Sequence, residues 1–397
     1  MIGPGTPNEA NSGLGEAAFN LGENLSRHVS LTVVQPGEAE SYLNKTLSTK
    51  IIEDVNTQKF SDSNLVQDLI HINVQAKLNP YFYFKAENED QVETTQLSEV
   101  KEEWRTFTDK VVEVSKTIDF DIIYAHDWTT FAAGLALKKS SNKPLVLHIH
   151  SLDLDRVSSQ HHSWVYDLEK RAINEADAII AVSNYTANII TSQYGGDSEK
   201  VHVVHNGYAP VGSIKSKNIF DEPIVLFVGR LSNQKGPHIF LEIAENILSS
   251  RHDVQFLVVG DGDMMGQMLE SVASKAISNR FHFAGFVERE RLIEAYNSAS
   301  VYCMPSISEP FGLSAIEAAD ASLPMVISKQ SGAAEVLTAA LTIDNGDIKG
   351  FAGAILSLLE DQKLAEKMIE NNKLAIKELS WEKAATEVIN IFESMIK

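Results

Sequence analysis

Short apolar runs recur along this chain in two successive series, each run separated from the next by a helix-length segment. Leu31 to Val34, Asp121 to Tyr124, Leu145 to Ile149, Ala178 to Val182 and Val201 to Val204 form the first series. Ile224 to Val228, Val254 to Val259, Phe281 to Phe283, Val301 to Met304 and Met325 to Ile327 form the second. Near-continuous apolar character over a strand's length marks a parallel strand covered on both faces. Strand-helix alternation, run through twice, therefore predicts an α/β chain of two doubly wound domains. The length of 397 residues agrees with more than one core. Between the series, Gly207 to Ser213 and the polar stretch to Pro223 have linker composition, which places the domain boundary there.

Charge and cysteine content narrow the function classes. The net charge of −20 has the wrong sign for neutralising phosphates along a nucleic acid or docking on anionic lipid, so no nucleic-acid partner is expected. The one cysteine, Cys303, excludes an intramolecular disulfide framework and a cysteine-based zinc cluster, and fits a reducing, cytoplasmic setting. No apolar stretch approaches the roughly 20 residues of a bilayer span, and the first residues carry neither a basic nor an apolar signal region.

Two irregularities stand out. Ala86 to Glu103 is acidic and reads as a surface loop leading into a helix over Trp104 to Lys116. The first glycine-rich turn begins almost at residue 1, so either Met1-Ile2 is a stub of the opening strand or that strand lies upstream.

Several segments carry chemistry. Asn11-Ser12-Gly13-Leu14-Gly15-Glu16 sits where a loop becomes a helix, and Gly13 and Gly15 let backbone N–H groups approach an anion; a plain tight turn is the other reading. Arg230 and Lys235 follow the first strand of the second series, where loops line ligand crevices, and suit a diphosphate; two solvated cations are the alternative. Pro310 biases Glu309 away from helix and places it on a loop rim, while Glu317 is either the carboxylate of a capping box with Ser314 or an acceptor for a ribose diol. His126-Asp127-Trp128 and His148-Ile149-His150 each follow a strand, and strand alternation predicts that only one of His148 and His150 faces a site. Asp153-Leu154-Asp155 and Asp261-Gly262-Asp263 match a metal-binding DxD pattern that so acidic a chain produces by chance; no metal site is expected.

Together, Ser12-Gly13-Leu14-Gly15, His126-Asp127-Trp128, His150, Gly229-Arg230 with Lys235-Gly236, and Glu309 to Glu317 in E-x7-E spacing resemble family 4 glycosyltransferases, nearest in phrase to the glycogen synthase and α-glucan branch. The family usually writes Gly-Gly-Leu-Gly where this chain has Ser12-Gly13-Leu14-Gly15. The resemblance implies the GT-B fold: two Rossmann-like domains facing a cleft, over 1–212 and 213–379, with 380–397 as a helix crossing back to the first. It implies a nucleoside diphosphate sugar as donor substrate, a carbohydrate acceptor, retention of anomeric configuration and no cofactor. Carried over, Arg230 and Lys235 stabilise the leaving diphosphate, Glu317 holds the ribose and Glu309 contacts the donor sugar. Gly13 and Gly15 lie against the diphosphate, the backbone of Phe311, Gly312 and Leu313 touches sugar and phosphate, His150 sits at the reacting sugar, and Asp127 lies towards the acceptor. Rival expectations are a transferase acting on a lipid or small molecule, a nucleotide-sugar epimerase, and a catalytically silent sugar-nucleotide binder.

Overall fold

A computed structural model describes residues 1–3, 13–36, 48–52, 55–60, 69–74, 94–156, 163–210 and 220–396. The chain divides into two compact units, the first comprising Met1–Leu154, Ser159–Gly207 and Ser380–Lys397, the second Asp155–Ser158 and Tyr208–Leu379. The divide thus falls a few residues before the expected 212/213 boundary, and Ser12, residues 86–93 of the Ala86 to Glu103 stretch and part of the linker lie outside the described residues.

Unit one contains β1 (Leu31–Pro36), β2 (Ser48–Ile52), β3 (Val55–Phe60), β4 (Leu69–Val74), β5 (Ile123–His126), β6 (Leu145–Ile149), β7 (Ala178–Ala181) and β8 (Val201–Val203). Two four-stranded sheets, ordered β1-β4-β3-β2 and β5-β6-β7-β8, meet at Ile2, which bridges Val34 and Ala125 in parallel. Ile2 N–H donates to the Tyr124 carbonyl, and its own carbonyl accepts from His126 N–H. Met1-Ile2 is therefore the strand stub between β1 and β5. The Met1 ammonium donates to the Thr32 carbonyl, and burial pulls its pKa down to about 5.

β5 begins two positions later than expected, because Asp121 and Ile122 precede its ladder. The antiparallel pair β2 and β3, and β4 parallel to β1, escaped the sequence reading. The helix expected over Trp104 to Lys116 begins earlier, spanning Thr94–Ser115, so the end of the acidic stretch is helical.

Each face of this composite sheet is covered. On one side, Trp104, Phe107 and Val111 of the Thr94–Ser115 helix pack with Trp128 and Phe131 against Leu145, Leu147 and Ile149. On the other, Ala17, Leu21 and Leu25 of the Gly13–Leu25 helix pack with Trp381, Ala385, Val388 and Phe392 of the Trp381–Met395 helix against Val33, Tyr124 and Val146. Ser380 caps the latter helix by accepting from Lys383 N–H.

Unit two is a six-stranded sheet, all parallel, in the order β11-β10-β9-β12-β13-β14. Its strands are β9 (Ile224–Val228), β10 (Gln255–Val259), β11 (Phe281–Gly285), β12 (Val301–Met304), β13 (Met325–Ser328) and β14 (Leu341–Ile343). The chain winds outward from β9 to β11, then returns to place β12 beside β9 and winds the other way. The order thus reverses between β9 and β12, where doubly wound sheets open a ligand crevice beyond the strand carboxyl ends. Among the described residues, no helix is long and apolar enough to cross a membrane.

Candidate active site

The loops after β9 and β12 meet at this reversal. Arg230 follows β9 and is half-buried, and Lys235 closes a short 3-10 turn, Asn233–Lys235. Ile307 N–H donates to the Gln234 carbonyl, tying the two loops together. Lys235 Nζ lies 2.5 Å from Glu309 Oε2, so the cation and the carboxylate assigned to different parts of a donor form one ion pair. Ser306 Oγ donates to the same oxygen at 3.3 Å.

Glu309 lies in the loop after β12, as expected, but its side chain is turned inward. It is 4% exposed and bridges Ser331 in parallel, its N–H donating to the Gln330 carbonyl and its carbonyl accepting from Gly332 N–H. Pro310 ends that bridge, and Gly312, with φ of 97°, turns the chain into the Leu313–Asp320 helix. A Cβ there would meet Glu309 Cγ at 3.2 Å and Ala333 Cβ at 3.1 Å. Phe311 and Gly312 are buried, while Leu313 is half-buried in the first helical position.

Glu317 is not the carboxylate of a capping box. Gly312 occupies the N-cap, with no side-chain cap, and Ser314 lies inside the helix, where its Oγ accepts from Tyr302 OH at 2.8 Å. Glu317 instead turns to Tyr296, whose hydroxyl donates to its Oε2 at 2.9 Å, and Arg289 stands 4.0 Å away. Burial, with the Glu317 charge beside it, raises the Tyr296 pKa well above its ordinary value, so the phenol stays protonated.

In unit one, the Gly13–Leu25 helix starts at Gly13, and Gly15 is buried in its first turn. Asp127 follows β5 with φ of 56°. Its Oδ1 accepts from the backbone N–H of His150 at 2.7 Å and of Ser151 at 3.3 Å, which bends the chain as it leaves β6. His150 therefore escapes the strand's alternation. Contrary to the expectation from face alternation, the His148 and His150 rings stack 4.2 Å apart, with His126 5.0 Å from the first and 5.3 Å from the second. Burial lowers all three pKa values, His150 to about 3, so the imidazoles are neutral near pH 7.

Residues 213–375 match the family described as "Glycosyl transferases group 1", and residues 96–210 match "Glycosyltransferase Family 4". The chain belongs to the family 4 glycosyltransferases. It is 29% identical over 294 residues to a glycosyltransferase of Methanocaldococcus jannaschii, covering 69% of this chain and 75% of that one. It is 25% identical over 284 residues to a glycogen synthase of Mycobacterium tuberculosis, with 68% of each chain covered. The structure of a sucrose-phosphate synthase from Thermosynechococcus elongatus superposes with a TM-score of 0.74 at 20% identity, covering 96% of this chain and 93% of that one. The fold of this glycosyltransferase is GT-B.

The aspartates of the DxD segments of the glycosyltransferase hold the loops around them. Asp261 Oδ1 accepts from the Gly262 N–H, and the Asp261 carbonyl accepts from Leu231 N–H, so this loop buttresses the one carrying Arg230. Asp153 accepts from Ser163 Oγ, and Asp155 accepts from Ser308 Oγ within unit two. Tyr296, Tyr302 and Ser306 were not singled out from sequence. Tyr296 meets the Glu317 carboxylate and Tyr302 the Ser314 hydroxyl across separate elements, pairings that no local spacing marks, whereas Ser306 meets Glu309 three residues on within one loop.

Proposed function

We propose that this glycosyltransferase moves a sugar, glucose foremost, from a nucleoside diphosphate sugar to a hydroxyl of an α-glucan, with retention of configuration. The observation that carries the reading is the meeting of Lys235 and Glu309 at the β9/β12 reversal, with Arg230 on the same loop as Lys235. The likeness to a glycogen synthase supports glucose and a glucan.

Breaking the bond from sugar to phosphate builds negative charge on the diphosphate and positive character on the sugar. Arg230 and Lys235 answer the first charge; removing one such preorganised contact typically costs about 10²- to 10³-fold in rate. Glu309, held by Lys235, accepts from donor-sugar hydroxyls. Glu317, aimed by Tyr296, accepts from the ribose diol. The backbone of Phe311, Gly312 and Leu313 borders sugar and phosphate, and the N-terminal turn at Gly13 and Gly15 offers N–H groups to the diphosphate. His150, neutral and buried, serves as a hydrogen-bonding group at the reacting sugar rather than as a base, and Asp127 fixes its backbone. No step requires a metal or cofactor; the leaving phosphate takes the acceptor's proton.

Product analysis with radiolabelled uridine or adenosine diphosphate glucose tests this. Label in a glycogen or maltooligosaccharide primer is the expected result. Label in a disaccharide, lipid or small glycoside would replace the glucan, and donor binding without any product would replace transfer by sugar-nucleotide binding.

A further inference from the structure

The three histidines behind the β5 and β6 carboxyl ends have unspent bonding capacity. His126 and His148 are register partners on adjacent parallel strands, and His150 folds back onto them through the Asp127 turn. His126 Nδ1 and His150 Nε2 share one hydrogen bond at 3.1 Å, and His148 Nδ1 pairs with Tyr124 OH. Among the described residues, that leaves His126 Nε2, His148 Nε2 and His150 Nδ1 buried without a partner. A buried polar atom left unsatisfied is costly, and three of them on adjacent rings call for a common ligand.

We infer that His126, His148 and His150 form a binding site for a divalent cation of the zinc class. The rings each offer one nitrogen, and these atoms lie within 4.8 Å of one another. Zinc–nitrogen bonds of about 2.0–2.1 Å require the nitrogens to close to roughly 3.3 Å, so binding draws the three rings together. Three imidazoles with no carboxylate among them select zinc, copper or nickel over magnesium or calcium. His150, at 9% exposed, is the least buried of the three rings.

The site opposes turnover rather than supporting it. An ion on His150 removes that ring from the sugar, so zinc inhibits transfer; this consequence rests on the role proposed above for His150, whereas binding does not. The test uses the full chain, stripped with a chelator and titrated with zinc by calorimetry and with cobalt by visible absorption. The expected result is one ion per chain, an intense tetrahedral cobalt spectrum, and no displacement by excess magnesium. His150→Ala, the variant at the least buried ring, is expected to keep the native circular dichroism and weaken zinc by more than about 100-fold, beyond what loss of an outer partner costs. No zinc uptake, an octahedral cobalt spectrum, or undiminished affinity in folded His150→Ala would each overturn the site. Because the wild-type cobalt spectrum needs no variant, a misfolded substitution does not shield the inference. Donor binding and transfer measured in zinc-free buffer report on the proposed function separately.

Discussion

Lys235 Nζ and Glu309 Oε2, 74 residues apart in sequence, lie 2.5 Å from each other where the second sheet reverses its strand order. The pair cancels in charge before any donor arrives. In the function proposed above, a diphosphate draws the ammonium towards itself while the carboxylate finds sugar hydroxyls, which would couple occupancy of the two subsites.

Lys235→Ala leaves a carboxylate that is 4% exposed with Ser306 Oγ as its donor. Because the lysine is a quarter exposed, the loss is placed at about 1–3 kcal/mol, below the cost of breaking a fully buried pair. Glu309→Gln keeps a polar partner for Lys235 and is expected to retain most stability while turnover falls about 10²-fold or more. Denaturant melts and kcat, measured side by side, separate the two variants; equal stability losses with unchanged kcat in Glu309→Gln would remove Glu309 from the donor site.

Glu317 is bound to Tyr296 and does not cap its own helix. Glu317→Ala is accordingly expected to cost only about 1 kcal/mol of stability and to weaken uridine or adenosine diphosphate binding about tenfold, a change of about 1.4 kcal/mol. Tyr296→Phe keeps the carboxylate but frees its orientation, so a smaller loss of affinity is expected. Calorimetry with the free diphosphates checks both; full affinity in Glu317→Ala would refute the ribose assignment.

Acid stability follows from the buried imidazoles. The folded pKa values of His126, His148 and His150 lie below 6.5, so as pH falls through 6.5 the unfolded chain takes up protons that the folded chain refuses. Each contributes a loss of up to about 1.4 kcal/mol per pH unit; for His150 the loss continues until pH nears about 3. Above 6.5 none of them contributes. Urea midpoints are expected to hold steady above neutrality and fall steeply below it, with His150→Gln shallower than wild type. A wild-type midpoint unchanged down to about pH 5 would contradict the neutral cluster.

Gly207 closes unit one against its last helix. A Cβ on it would lie 2.3 Å from the backbone nitrogen of Trp381, and backbone cannot step aside as a flexible side chain does. Gly207→Ala is expected to destabilise by about 2–3 kcal/mol, read as a lower melting temperature; an unchanged melt would show that the helix start can shift.

The strands of unit two were legible because buried parallel strands are continuous apolar runs: β9 and β12 have the bounds expected from Ile224 to Val228 and Val301 to Met304. The β2–β3 hairpin was not, because Ser48-Thr49-Lys50 and Asn56-Thr57-Gln58-Lys59 mix polar residues through an antiparallel pair. Motif segments were visible, but their internal geometry was not. Glu309 and Glu317 stand eight positions apart, yet one is bound to Lys235 and the other to Tyr296, partners that only the tertiary fold supplies. Likewise, strand alternation separates His148 from His150 until the left-handed Asp127 and its acceptor oxygen bend the chain.

The anomeric configuration of the product tests the central claim most directly. Nucleoside diphosphate α-glucose and a glucan primer, incubated with the enzyme in chelator and followed by proton NMR, are predicted to give a new α-linkage at an undiminished rate. A β-linked product, or transfer abolished by the chelator and restored by magnesium, would contradict metal-free transfer with retention at Arg230, Lys235, Glu309 and Glu317.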